Sequence, residues 1–423
     1  MKCEHCGYEA PERAVICPEC GEILPRPKKP AAEEQAKKEP SPAAEKFSMP
    51  FLSAPADEKA RDRYVQALLM EIERYQGTET ADRKIKTLYI GGGTPSILSV
   101  DQLDCIMQKI KYTFNFCDDI EASMEMNPGT ASKEKCRALY QMGINRLSIG
   151  LQSTNDMELK TLGRIHSYED FINTYTWCRE AGFQNINVDL MAALPYQIVE
   201  SYTTGLRKII RLAPEHISAY SLILEEGTPF YQKYNSGCYP LPDEEQERLM
   251  YRETEQILAQ AGYERYEISN YAKKGYACRH NLVYWQGGDY LGLGLGSSSY
   301  MDGVRFHNTT DLNTYVNQGA YVEDREELSV QAKMEEFMFL GLRVMAGVSG
   351  TEFEKRFGKT MEDVYGDVLR KHEEEGLLQI ERKEDRKEAA AAEPAKGKTN
   401  IEKVMLTTNG VDVSNYVFAD FLL

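Results

Sequence analysis

The chain has no apolar run approaching the roughly 18 residues that a membrane-spanning helix needs. Its N-terminus also lacks the charged-then-apolar pattern of a secretory signal. Both absences point to a cytoplasmic protein without a membrane span, and leave only peripheral contact with a membrane acceptor open. Positive charge is scarce. Fifty Lys and Arg stand against 66 Asp and Glu, for a net charge of -16 and a pI near 5.1. That argues against nucleic acid as a bulk partner, because phosphate binding wants clustered Lys and Arg. Ten cysteines in 423 residues are too sparse for a disulfide scaffold, so paired cysteines in a reducing compartment suggest metal instead.

What is present is a recurrence. Five short apolar runs stop on Gly-rich or polar clusters: Thr87-Leu-Tyr-Ile-Gly-Gly-Gly-Thr-Pro-Ser96, Ile120-Glu-Ala-Ser-Met-Glu-Met-Asn-Pro-Gly129, Arg146-Leu-Ser-Ile-Gly-Leu-Gln-Ser-Thr154, Ile186-Asn-Val-Asp-Leu-Met-Ala-Ala-Leu-Pro195 and His216-Ile-Ser-Ala-Tyr-Ser-Leu-Ile-Leu-Glu-Glu-Gly227. They recur roughly every thirty residues, the length of a strand–helix unit. Apolar stripes at helical spacing lie between them: Leu103, Ile106, Met107 and Ile110; Phe171, Tyr175 and Cys178; Leu206, Ile209 and Ile210. The class is therefore α/β, and in such architectures the functional site sits where the strands end.

Around this body the sequence divides. Residues 1–25 form a small unit, and 26–48 a Pro-, Ala-, Lys- and Glu-rich linker. The barrel-like region runs over 49–312. A C-terminal unit over 313–423 carries a charged insertion at 382–402 and ends in a short hairpin and helix that resemble a winged-helix unit. A helix is expected from Asp57, its cap, to Gln76. Cys105, Cys136 and Cys178, on helical patterns, are expected to be buried.

Cys3-x2-Cys6 and Cys17-x2-Cys20 are separated by ten residues, and Gly7 and Gly21 follow the pairs. Four thiolates so spaced can surround a tetrahedral Zn²⁺, the glycines easing tight knuckle turns. Four unpaired surface cysteines, or a redox pair, are the alternatives. A segment of about 25 residues has too little core to fold without a metal.

At the strand ends, the glycines before Thr94 let backbone approach a ligand. Glu125 and Asn127 end the next strand, Gln152 and Ser153 the one after, and Asp189 lies in the fourth. An unpaired carboxylate inside that apolar run would be costly, so Asp189 is either a ligand contact or a buried cap. Further on, His280-Asn281-x-x-Tyr284-Trp285 combines an imidazole with flat aromatic surface. This is what a haem site needs, and it equally describes a histidine bonded within an aromatic core.

The ordered series GGGTPS, MEMNPG, RLSIGLQS, NVDLMAALP and HISAYSLILEEGTP resembles the partial (β/α)6 barrel of the radical SAM superfamily. Within it, the series is similar to the branch of the oxygen-independent coproporphyrinogen III oxidase and the HemW-type haem chaperone. The resemblance covers about residues 51–423. It implies contacts to S-adenosylmethionine for Gly92, Gly93, Thr94, Glu125, Gln152, Arg164 and Asp189. The His280-Asn281-x-x-Tyr284-Trp285 pattern looks like the haem-chaperone branch, and implies haem binding by those four residues and a haem-accepting partner protein. The family also reads Cys-x3-Cys-x2-Cys at the end of its first barrel strand, for a [4Fe–4S] cluster. This sequence has no such triplet. Phe47-Ser-Met-Pro50 stands where the strand and cysteines belong. The barrel is thus expected to lack its first strand and the chain to lack radical chemistry. A haem chaperone is the expected function. An oxidase-like radical enzyme of porphyrin biosynthesis and a zinc-ribbon adaptor without catalysis are the alternatives.

Overall fold

The computed structural model describes residues 57–318, 322–383 and 401–423. The four N-terminal cysteines, the 26–48 linker, the position of the family's first strand and most of the charged insertion lie outside those residues.

Asp57 caps the helix Glu58–Arg74, accepting from the Ala60 N–H at 2.8 Å. Five strands then run parallel, side by side in chain order: β1 (Lys84–Ile90), β2 (Asn115–Met126), β3 (Arg146–Gln152), β4 (Ile186–Ala192) and β5 (His216–Ser221). These are the five runs of the sequence, and the sheet they form curls into a partial barrel. The helices Val100–Thr113, Lys133–Gln141, Tyr168–Ala181 and Val199–Arg211 connect them. Beyond β5 the sheet continues with β7 (Asn270–Ala272), antiparallel to β5, and then β6 (Glu264–Glu267), antiparallel to β7. Among the described residues, β1 forms the opposite edge.

A parallel sheet covered on both faces usually has apolar residues on both. Here the two faces differ. Ala122, Met124, Leu147, Ile149, Leu151, Ile186, Val188 and Ile217 point outward and are buried under the apolar stripes of the connecting helices. Each large aliphatic so buried contributes about 1.5–3 kcal/mol. The alternate positions are Thr87 and Tyr89, Glu121, Ser123 and Glu125, Arg146 and Ser148, Asn187 and Asp189, and His216, Ser218 and Tyr220. They are polar and face the inside of the curl. The two-residue period of a strand makes this division.

The stripe rule also corrects one expectation. Cys105 precedes Ile106 off the Leu103–Ile106–Ile110 face and is exposed, while Cys136 and Cys178 are fully buried with their sulfurs 3.5 Å apart.

Past the sheet, β8 (Ser298–Met301), β9 (Val304–Asn308) and β10 (Val322–Glu327) form a separate antiparallel sheet. The boundary expected at residue 312 therefore falls inside that sheet. A second core begins at Met334 and gathers Met338, Phe353, Tyr365, Leu369, Val404 and Phe421. Its helices are Val330–Gly341, Gly350–Phe357 and Met361–Glu374, with β11 (Val348–Ser349), β13 (Ile401–Leu406) and β12 (Leu378–Arg382) as a three-stranded sheet. Arg382 pairs with Ile401, so both ends of the charged insertion belong to strands.

Candidate functional site

Register stacks the inward polar residues into layers. Tyr89 lies beside Ser123, and Ser123 beside Arg146. Glu125 lies beside Ser148, Ser148 beside Asn187, and Asn187 beside His216. Gly150, Asp189, Ser218 and Asn270 form the next layer toward the strand ends. A cavity of about 250 Å³ lies among them, bordered by Tyr89, Glu125, Arg146, Asp189, Tyr220 and Asn281.

A chain of hydrogen bonds fixes Asp189. The Asn187 amide donates to Asp189 Oδ1 at 2.7 Å and to Ser148 Oγ at 2.8 Å. Asn187 Oδ1 can only accept, so His216 Nδ1, 2.6 Å away, carries the proton. His216 Nε2 then accepts from the Tyr266 hydroxyl at 2.8 Å, since burial pulls this histidine well below its ordinary pKa and keeps it neutral.

Burial also raises the pKa of Asp189 and of Glu125, and each acid's neighbours add to or oppose that push only secondarily. An acid whose folded pKa is raised holds its proton in the fold where the unfolded chain has lost it. Its contribution to stability is therefore lost as pH rises from the ordinary carboxylate range through the raised value. Asp189→Asn should match the parent in urea-denaturation midpoint near pH 4 and exceed it at pH 7.5. A variant less stable than the parent at pH 7.5 would show that the hydrogen bonds to Asp189 outweigh its burial.

Of the strand-end residues named from the sequence, Glu125 and Asp189 border the cavity. Glu125 accepts from the Tyr89 hydroxyl at 3.0 Å and from the Gly92 N–H at 3.3 Å. A side chain at Gly91 would run into Tyr89 and Glu125 at 2.6 and 2.7 Å. Gly92 has φ +84°, which favours glycine. Gly93 and Thr94 follow it into a short 3-10 turn, Pro95–Ile97. Gln152 ends β3 with φ +74°, an uncommon conformation for a residue with a Cβ, of the kind that clusters at functional sites. Its Oε1 accepts from the Tyr220 hydroxyl at 3.2 Å. Arg164 lies past the short helix Asp156–Thr161 that follows β3, and its charge bears on Tyr220. Tyr220 thus joins Gln152 to the cavity that Glu125 and Asp189 border.

The four residues named for haem sit on the helix Arg279–Trp285, which packs against β1 and against the helix Val330–Gly341. Glu121 holds the start of that helix, accepting from the Arg279 and His280 N–H groups at 3.0 Å each. His280 stacks on Tyr89 with ring centroids 4.9 Å apart. Its Nδ1 meets Thr87 Oγ1 at 3.0 Å and its Nε2 the Tyr284 hydroxyl at 2.9 Å. Burial brings His280 down to about 4, so it is neutral at pH 7. Asn281 borders the cavity, and Tyr284 also packs edge-on to Tyr290. Trp285 lies beneath the Arg343 guanidinium, 4.5 Å from its ring centroid, tying the helix toward the C-terminal unit. The four residues therefore share one helix but serve different neighbours.

Residues 1–209 match the radical SAM superfamily, and residues 328–384 match the HemN C-terminal domain. A heme chaperone HemW of Lactococcus lactis is 35% identical over 365 residues, spanning 86% of this chain and 90% of that protein. The chain belongs to the HemW family of the radical SAM superfamily. A second HemW, from Bacillus subtilis, is 37% identical over 322 residues, 75% of this chain and 85% of its own. In fold, this HemW-family chain is similar to the coproporphyrinogen III oxidase HemN of Escherichia coli. The TM-score is 0.73 at 20% identity, covering 88% of this chain and 86% of that one.

The superfamily's name implies S-adenosylmethionine, and the strand-end residues suit such a ligand: close-approach glycines, Gln152 in a left-handed conformation, and acids around one cavity. The family's [4Fe–4S] cluster does not fit the residues present. The sequence contains no Cys-x3-Cys-x2-Cys, and among the described residues no three His, Cys, Asp or Glu side chains gather as a metal site. No helix among the described residues is long and apolar enough to cross a membrane.

The sequence reading missed Arg146, Glu121, Asn187, His216 and Tyr220 as site residues. Their signal was present. Arg146-x-Ser148, Asn187-x-Asp189 and His216-x-Ser218-x-Tyr220 alternate with apolar residues, and period two puts each set on the inner face.

Proposed function

We propose that this chain is a haem chaperone: it binds haem as cargo and passes it to an acceptor protein in the cytoplasm, without cluster-dependent radical chemistry. The observation that carries this is the family membership, which spans barrel and C-terminal unit alike. His280 is the candidate iron ligand. Its neutral imidazole can offer Nε2 once the Tyr284 hydroxyl leaves, while Thr87 keeps Nδ1, the second contact that orients metal-bound histidines. Asn281, Tyr284 and Trp285 would border the macrocycle. Gly92, Gly93, Thr94, Glu125, Gln152, Arg164 and Asp189 would hold S-adenosylmethionine. Cys3, Cys6, Cys17 and Cys20, outside the described residues, would hold one zinc in a ribbon at 1–25. The acceptor is recognised as a haem-binding protein, soluble or at a membrane surface, and nucleic acid is not a partner.

Haem titration followed by Soret absorbance tests this. A saturable band is expected, altered in position or strength in His280→Ala. No band would overturn the chaperone reading, and an unchanged band in the variant would remove His280 from iron. Metal analysis of the same protein should return one zinc per chain and no iron beyond haem. About four irons per chain after anaerobic reconstitution would instead indicate a cluster.

A further inference from the structure

Arg146 opens β3 on the inner face and is 2% exposed. Among the described residues, no acceptor lies within hydrogen-bond distance of its Nε, and it forms none of the described ion pairs. An arginine cannot shed its charge in a protein, and a buried charge is costly unless paired. Cys278, Glu121 and Asp189 act on it only electrostatically, without a hydrogen bond or ion pair among those described. Both Glu121 oxygens are committed to the Arg279 and His280 N–H groups. The guanidinium instead borders the 250 Å³ cavity.

We propose that Arg146 is the receptor for a carboxylate group entering this cavity from the strand ends. A guanidinium presents a planar fork of donors that matches a carboxylate with two parallel hydrogen bonds. The cavity suits one carboxylate arm and not a whole porphyrin, since pockets for drug-sized ligands begin at about 300 Å³. Asn187, Asn281 and Ser148 border the same space and can complete the acid's hydrogen bonds. Glu125 and Asp189 also border it. Burial favours their protonated forms, in which each gains a donor and ceases to repel an incoming anion. Two sources supply such a group: a haem propionate, which rests on the chaperone reading, or the amino-acid end of S-adenosylmethionine, which does not.

Three probes test it on the full chain. Sodium propionate, against sodium chloride at equal ionic strength, should raise the melting temperature of the parent. It should do so less in Arg146→Lys and not at all in Arg146→Gln. Haem should bind the parent at least tenfold tighter than haem dimethyl ester if a propionate is the occupant. S-Adenosylmethionine should bind at least tenfold tighter than methylthioadenosine if the amino-acid end is. Either preference should vanish in Arg146→Gln, because charge-assisted hydrogen bonds of about 1.5–3 kcal/mol correspond to tenfold or more. Arg146→Lys keeps the charge without the fork and decides the matter if Arg146→Gln does not fold. The proposal is overturned if no probe distinguishes parent from Arg146 variants. Absence of haem binding with intact propionate protection would overturn the chaperone reading and leave Arg146 in its role.

Discussion

Glu121→Ala should lower the unfolding free energy by about 3–5 kcal/mol, read from the urea midpoint by circular dichroism. The side chain is 7% exposed and accepts from two N–H groups at the start of the Arg279–Trp285 helix. The Cys278 thiol is a third donor, 3.6 Å away. Cys278 gives that helix no side-chain cap of its own, so a carboxylate from another element supplies what an N-cap residue normally would. Each hydrogen bond to a charged acceptor contributes about 1.5–3 kcal/mol. Alanine also leaves the N–H groups buried without partners, and takes from Arg146 the counter-charge that moderates it. Glu121→Gln keeps one accepting oxygen and should lose roughly half as much. Amide exchange at Arg279 and His280 gives the local readout, and both should lose protection before the outer helices do. A loss below about 1 kcal/mol, with those amides still protected, would mean that water or another acceptor takes over.

Glu71→Ala should cost a comparable amount, about 3–5 kcal/mol, and act at the other wall. Glu71 is 2% exposed and accepts from the Gly294 N–H at 2.9 Å, the Asn308 amide at 2.7 Å and the Tyr315 hydroxyl at 2.6 Å. These donors come from segments more than 220 residues further along the chain, so one carboxylate fastens the Glu58–Arg74 helix to the loop before β8, the end of β9 and the helix Leu312–Gln318. Burial raises the Glu71 pKa against the pull of those three donors. Thermal denaturation should show the loss, and limited proteolysis should cut first within residues 58–74. Glu71→Gln, which keeps the volume and one acceptor, should retain part of the stability. If Glu71→Ala melts within about a degree of the parent, the network is not what holds that helix.

The fold was legible because its signals are local. The Leu103–Ile106–Ile110 and Phe171–Tyr175–Cys178 stripes and the Asp57 cap require only neighbours along one helix, and all three lie as expected. That the strand ends meet was legible for a related reason: a parallel sheet delivers every strand end to one rim, where Glu125 and Asp189 border one cavity and Gln152 reaches it through Tyr220. The His280 surroundings were not. Whether an imidazole faces iron or a phenol depends on what packs against it, and Thr87, Tyr89 and Glu121 reach it from β1 and β2, more than 150 residues earlier.

The five-strand parallel body, the family resemblance and the absence of the three cysteines that would hold a cluster can all be read along the unfolded chain. These follow from period, order and composition, which the chain carries without folding. That Glu121 on β2 caps a helix resting on neighbouring β1, and that Glu71 clamps the first helix to residues near 300, emerges only from the folded chain. It alone left Arg146 buried beside a cavity, its Nε without a hydrogen-bond partner among the described residues. Each of these is a relation between strands in register or between segments far apart in the chain, and such relations exist only once the sheet has curled and brought its inner face together.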